Sequence, residues 1–267
     1  LVIEFGSAYC ADGMNAVDWA LANYPVDVKT IGIMGYAGDY GGDYANGVKA
    51  AAEANGLTVA WEYIVPSPEF DVAQAVGLMV TKPVDAYFPA VGPTHMAQVA
   101  GGAFQQGLTP LSMMAAPSFN DAFVREGFAL APLFTSGSMY LMAFVAPYEA
   151  ETAGHATMRA TFTAMGIDSA NTFLVAGWAS QHHLKGVLEA ANKGGDLTRA
   201  GIRRAAGSVY VDSDGMMPQR ELGQNRADAE SFIAVPDGTI ASGVKLLAGN
   251  YVGPSAGGYD WESGPCS

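Results

Sequence analysis

The glycines of "TIGIMGYAGDYGGDY" (residues 30–44) are the first candidates for chemistry, because an apolar run that passes through glycines into a helix can cradle a phosphate on its backbone. A dinucleotide-binding loop needs Gly-x-Gly-x-x-Gly so that main chain can approach a pyrophosphate. Here Gly35, Gly38, Gly41 and Gly42 are spaced Gly-x-x-Gly-x-x-Gly-Gly, and Asp39 and Asp43 put negative charge where a phosphate would lie. Asp43 fits better as a first-turn acid favoured by the helix dipole. The loop therefore reads as a bend that offers Tyr40 to some other ligand.

Nucleophilic and metal chemistry have no firmer footing. The chain has no Gly-x-Ser-x-Gly elbow, and Cys10 has no histidine near it in sequence. Of the histidines His95, His155, His182 and His183, only the last two are adjacent. Neighbouring helical positions point about 100° apart, so this pair reads as polar and partly exposed rather than as ligands of one ion. No metal and no cofactor are expected. The methionine pairs at 113–114 and 216–217 read as core filler. Cys10 and Cys266 fit no metal spacing; buried free thiols and a disulfide are both open readings. Few lysines, and many glycines and tyrosines, lean toward an exported protein, where a disulfide would survive.

Aromatics beside turns are more informative. Tyr9 in "GSAYCADG", Tyr40 in the glycine loop and Trp178 in "VAGWASQHHL" each read as strand-to-helix positions. In open α/β sheets such loops collect outside the carboxyl ends of the strands, where ligands bind. Three aromatics there suggest a cleft that stacks on an organic molecule.

These residues must be positioned by two alternating patterns. "TIGIM" (30–34), "LTVAWEYIV" (57–65), "VDAYFPAV" (84–91) and "TPLSMMAA" (109–116) read as strands, and "LVIEF" (1–5) as a leading one. Between them Tyr44, Val48, Ala51 and Ala52 share a helical face stopped by Asn55-Gly56; Ala73, Val76, Gly77 and Val80 form a second face, and Met96, Val99, Ala100 and Ala103 a third. Strand starts recur about every 25 residues, the rhythm of βαβ units and a parallel sheet. Residues 151–166, 180–195 and 196–207 then read as helices with hardly a strand between them, and 209–245 as short extended segments. So few strands cannot close a core around those helices, which predicts a sheet supplied from elsewhere and a chain incomplete at its N-terminus.

Half of the 267 residues are apolar, 15% are charged and the formal net charge is −13, which argues against nucleic acid and anionic membrane surfaces as partners. No apolar run reaches the ~18 residues of a membrane span, so no membrane insertion of this segment is expected.

The order of elements from "KTIGIMGYAGDYGGDYANGVKAAAEANGLTVAWEYIVPSPEFDVAQAV" through "VDAYFPAVGPTHMAQVAGGAFQQGLTPLSMM" to "VAGWASQHHLKGVLEAANKGG" resembles the type I periplasmic binding proteins of the leucine/isoleucine/valine-binding group. The resemblance spans about residues 1–245 and implies an α/β fold of two Rossmann-like lobes, parallel sheets flanked by helices, with the first lobe incomplete. It divides the chain into 1–11 (end of the first lobe and first crossover), 12–147 (second lobe), 148–206 (returning first-lobe helices), 207–245 (final crossover and closing strands) and 246–267 (C-terminal tail). It further implies an extracytoplasmic protein, periplasmic or a cell-surface lipoprotein, that is not an enzyme. Such a protein captures a small-molecule ligand between its lobes and hands it to an ABC-transporter permease. The alternative on the same fold is a ligand-sensing regulator or receptor domain for an amide, urea or small aromatic or carboxylate ligand.

Carried onto this chain, the resemblance makes Tyr40 the cleft-facing aromatic of the second lobe and Trp178 a ligand contact from the returning first lobe. Gly92, Pro93 and Thr94 form the turn that approaches the ligand, and Tyr9 lies in the first crossover. Amino-acid-binding members carry an acid after the fourth strand of the second lobe; this chain has Ala115, Ala116, Pro117, Ser118 and Phe119 there. A buried ammonium without a carboxylate is costly. An α-amino acid would therefore need Asp12, Asp39 or a residue outside the chain, and a ligand with an uncharged or aromatic end suits Met114, Ala115 and Phe119 better.

Overall fold

The computed structural model describes residues 6–207, 209–218, 220–221 and 229–266. The expected strand at "LVIEF" lies outside the described residues. Helix α1 (Tyr9–Asn23) opens the described chain, followed by β1 (Thr30–Tyr36), α2 (Gly41–Ala54), β2 (Thr58–Val65), α3 (Val72–Thr81), β3 (Ala86–Ala90), α4 (Pro93–Gln105) and β4 (Leu111–Ala115). A one-turn α5 (Ala131–Phe134) leads to β5 (Met139–Ala143). The helices α6 (Ala153–Ala164), α7 (Thr172–Lys193) and α8 (Arg199–Ala206) come next. The short pair β6 (Tyr210–Val211) and β7 (Arg220–Glu221) precedes β8 (Ser231–Pro236), β9 (Val244–Tyr251) and α9 (Pro254–Gly257).

One sheet of seven strands runs in the order β2-β1-β3-β4-β5-β8-β9. The first five are parallel, while β8 joins β5 and β9 joins β8 antiparallel. Parallel strands need helical crossovers, which cover both faces of the sheet and bury every residue of β3 and β4. Side chains alternate between two cores. Met34, Tyr87 and Met114 point to the side of α3 and α4, whereas Ile31, Ile33, Phe88 and Met113 point to the side of α1 and α2.

Helix starts follow ordinary capping chemistry. Asp71 accepts from Ala73 N and Gln74 N ahead of α3, and Thr152, Asn171 and Thr198 cap α6, α7 and α8. The Asn171 cap corrects one expectation. It starts α7 well before residue 180, so Trp178 lies within a helix and not in a loop ahead of one. His183 is buried on α7, which corrects its reading as partly exposed; His182 is half-buried. Helices α6 and α7 form a separate apolar cluster with Val145, Tyr148, Met216 and Met217.

The end of the described chain is tied down. β9 adds a strand to the sheet, α9 packs on α1, and Cys10 and Cys266 form a disulfide with Cα atoms 5.9 Å apart. Helices α1 and α2 touch through backbone: a Cβ on Gly13 would meet the Tyr44 carbonyl oxygen, and one on Gly47 would meet the Cys10 carbonyl oxygen. Gly47→Ala is therefore expected to overpack the pair and cost about 1–3 kcal/mol, read as a lower urea midpoint. Gly42→Ala, in the same helix with open space around it, should be neutral or mildly stabilising. Equal midpoints for the two variants would mean that α1 and α2 do not meet at Gly47.

Candidate functional site

In the strand order 2-1-3-4-5 the chain leaves β1 toward β2 on one side and returns to β3 on the other. The crossovers diverge there, opening a crevice at the carboxyl ends of β1 and β3, the topological switch point at which such sheets bind ligands. Tyr36 ends β1, Tyr40 stands at the N-cap of α2, and Gly92 is the N-cap of α4 after β3. The bottom of the crevice is thus set by sheet geometry and its lining by the first residues beyond each strand.

The lining is aromatic. The Tyr9 and Tyr40 rings lie 4.9 Å apart and tilted, and Tyr36 stands edge-on to Tyr40 at 6.4 Å. Tyr36 also meets Phe70 at 5.8 Å, and Phe70 stacks on His95 at 4.9 Å. Polar ends are fixed by short bonds. The Tyr36 hydroxyl and His95 Nδ1 are 2.7 Å apart. The Tyr40 hydroxyl donates to the Val91 carbonyl at 3.2 Å and lies 3.0 Å from Ser118 Oγ. Ser118 Oγ accepts from Val91 N–H at 3.2 Å, so one serine ties the β3 turn to the β4 turn and to Tyr40. At Gly92 a Cβ would sit 3.1 Å from the Tyr36 hydroxyl, so glycine there leaves that hydroxyl its room.

Charge is kept low around the tyrosines. Burial raises the Tyr9 phenol above its ordinary pKa, with the nearby Asp12 carboxyl adding to the effect. Burial raises Tyr40 far more, opposed in part by its hydrogen bond to Ser118. Both hydroxyls stay protonated as neutral donors. Asp39 is exposed, and Asp12 is wholly buried behind the rings. The arrangement offers ring faces and neutral hydrogen-bonding groups, which suits reversible capture of an organic molecule. Among the described residues no group of three or more His, Cys, Asp or Glu is placed to hold a metal ion.

The expected site residues separate into three sets. Tyr9, Tyr40, Gly92 and Pro93 come together at the crevice as half-buried groups, with Thr94 exposed at its rim. Ala115, Ala116 and Phe119 are buried, and Phe119 packs edge-on to Phe123. Trp178 packs edge-on to Phe162 at 5.5 Å in the cluster of α6 and α7, apart from the tyrosines. Sequence reasoning passed over Tyr36, Phe70 and His95. The available signal was their position, each just beyond or at the end of a parallel strand.

A groove of about 590 Å³ runs between α2 and residues 255–265, and a hollow of about 180 Å³ lies among Trp19, Tyr24 and Tyr140. Neither includes a crevice tyrosine.

Residues 2–239 match a family described as periplasmic binding protein. No curated protein matches the chain. Among solved structures, a fatty acid ABC transporter substrate-binding protein from Thermomonospora curvata is similar at 24% identity and TM-score 0.85, over 96% of this chain and 66% of that one. A leucine binding protein from Thermotoga maritima is similar at 13% identity and TM-score 0.68, over 92% and 66% of the two chains. A branched chain amino acid ABC transporter from Thermus thermophilus with bound valine is similar at 11% identity and TM-score 0.69, over 93% and 66%. The chain thus spans about two thirds of the length of these structures, and identities this low carry the fold alone.

Ser118→Ala would leave the Val91 N–H without its acceptor and Tyr40 without one of its two partners. It is expected to lower unfolding free energy by about 1–3 kcal/mol, measured by calorimetry. An unchanged unfolding temperature would mean that the β3 and β4 turns are not joined through this hydroxyl.

Proposed function

The chain belongs to the type I periplasmic binding protein family, and from that premise we propose that it is the solute-capturing component of an ABC importer, holding a small organic molecule for delivery to a membrane permease. The observation that carries this reading is the aromatic crevice of Tyr9, Tyr36, Tyr40 and His95 at the switch point of the sheet. Binding needs no chemistry: a solute that contacts two lobes at once shifts an open–closed equilibrium, and the closed form is what a permease recognises. A disulfide between Cys10 and Cys266 suits an extracytoplasmic setting. No helix among the described residues is long and apolar enough to cross a membrane.

The solute class follows from the lining. Ring faces favour an apolar or planar body, and the Tyr36–His95 pair and the Gly92–Thr94 turn favour a polar end that exchanges hydrogen bonds. Asp12 has no exposed surface and is held by Ser7 and Ser231, out of reach of an ammonium group. An organic acid, amide or urea with an apolar body therefore suits the crevice better than an α-amino acid, and a fatty acid-binding relative of the same fold is consistent with that choice. Trp178, half-buried on α7, is the aromatic that the family resemblance carries over to the opposite side of the cleft.

Thermal unfolding of the complete natural chain against amino acids, amides, ureas, fatty acids and small aromatic acids tests the proposal. A solute at 100 times its dissociation constant adds about 2.7 kcal/mol, a shift of several degrees. With the responding solute, Tyr40→Ala and Trp178→Ala are each expected to weaken binding about tenfold or more, about 1.4 kcal/mol, and each also lowers the unfolding temperature through lost packing, so affinity is read well below it. Titration calorimetry giving parental affinity for both variants would place the cleft elsewhere.

A further inference from the structure

Asp12 has no exposed surface, although it lies in the first turn of α1 beside the crevice. Its Oδ1 accepts from the Ser7 hydroxyl at 2.5 Å and from the Ser231 hydroxyl at 2.6 Å, the second 219 positions away. One turn along, Asn15 Nδ2 donates to the same Ser231 Oγ at 2.8 Å and to the Ala229 carbonyl at 2.7 Å. Gly6 stands against Phe144, just beyond β5, and Ala143 pairs with Phe232. Three segments distant in sequence, at 6–7, 143–144 and 229–232, therefore run side by side at one end of α1, and Asp12 bonds two of them. Its second oxygen, Oδ2, has no hydrogen-bond partner among the described residues.

We propose that Asp12 is a proton-operated latch: with a proton on its carboxyl it holds the segments of Ser7 and Ser231 together, and on losing that proton it favours their separation. The meaning of this latch for solute release rests on the transport reading above; its geometry does not.

A carboxylate at this place is poorly served. Burial strips its hydration, and two neutral hydroxyls restore only part of it. The titratable groups that bear on it are Tyr9 of α1 and Tyr40 and Tyr44 of α2, all neutral phenols. Lys49 of α2 is engaged with Glu62, and Asp18, two turns along α1, is occupied by Ser255. β4, β8 and α9 bring no titratable side chain, and Glu230, just ahead of β8, is itself acidic. Burial pushes the Asp12 carboxyl up to about 7, against the lowering effect of its hydrogen bonds to Ser231 and Ser7.

The direction follows from linkage. The folded-state value stands above the free value of 3.8, so the stabilisation is complete below about pH 4 and is lost as pH rises through about 7. An opening that wets Asp12 gains weight by about tenfold per pH unit across that window and levels off above it.

Hydrogen exchange of the complete natural protein between pH 5 and pH 8, corrected for intrinsic exchange, reads this opening. Protection of amides in 6–8 and 229–233 is expected to fall by up to about a hundredfold in the parent and to stay flat in Asp12→Asn. Parallel profiles in parent and variant, or a flat parent, overturn the latch. Infrared spectra of the parent labelled at aspartate cover the case in which the variant does not fold. A protonated-carboxyl band that vanishes near pH 7 supports the latch, and the lack of such a band at pH 5 overturns it. Neither readout uses a solute, so a protein that binds its solute with a flat profile refutes the latch alone. A pH-dependent profile without any solute response refutes the transport reading alone.

Discussion

A buried polar stripe on one helix holds the described chain together. Asp12, Asn15 and Asp18 recur every three residues along α1, share a face, and are all buried. Buried polar groups must find partners, and each of these finds them far away in sequence. Asp12 reaches Ser7 and Ser231; Asn15 reaches Ala229, Ser231 and Gly253; Asp18 reaches Asn55 and Ser255. The segment entering the sheet domain, the start of β8 and the turn after β9 are all referenced to one helix. An apolar stripe would have packed there with less specificity, since it accepts many registers, whereas three directional groups accept few.

The crevice inherits its rigidity from this frame. α1 carries Tyr9 and, by backbone contact with α2, fixes the helix whose N-cap is Tyr40. The tyrosine pair is therefore positioned by helix packing, while Tyr36 and Gly92 are positioned by the pairing of β1 with β3. Ser118 closes the set by joining the turns after β3 and β4. Side chains preorganised in this way have little freedom left to lose on binding a ligand.

Much of the sheet was legible because β-strands buried on both faces write themselves as short apolar runs. "TIGIM", "LTVAWEYIV", "VDAYFPAV" and "TPLSMMAA" became β1 to β4, and the helical faces between them became α2, α3 and α4. Less legible were elements whose identity depends on distant partners. β9 has one buried residue, Val244, and joins the sheet through its antiparallel pairing with β8. Asp12, Asn15 and Asp18 carry the letters of a solvated helix face, and nothing local announces that Ser231 and Ser255 will cover them. Trp178 was misplaced for a local reason, since the polar run at 180–183 imitates a helix start while the true cap, Asn171, lies about two turns before the tryptophan. Of the crevice, Tyr9 and Tyr40 stood out by their neighbourhood of turns, and the 92–94 turn came only with the family resemblance. His95 and Phe70 were missed because an aromatic after a strand means little until the strand order makes two such positions neighbours.

The bond between Cys10 and Cys266 spans 256 positions, so it sets an order of events during biogenesis. Its first half emerges with the earliest part of the described chain, and its second half only after the whole sheet has been made. The α1 thiol cannot meet this partner until all seven strands of the sheet have been synthesised. The crosslink consequently records completion: it can close only on a chain whose tail has already found α1 and α2, and a chain halted anywhere in between leaves that staple open.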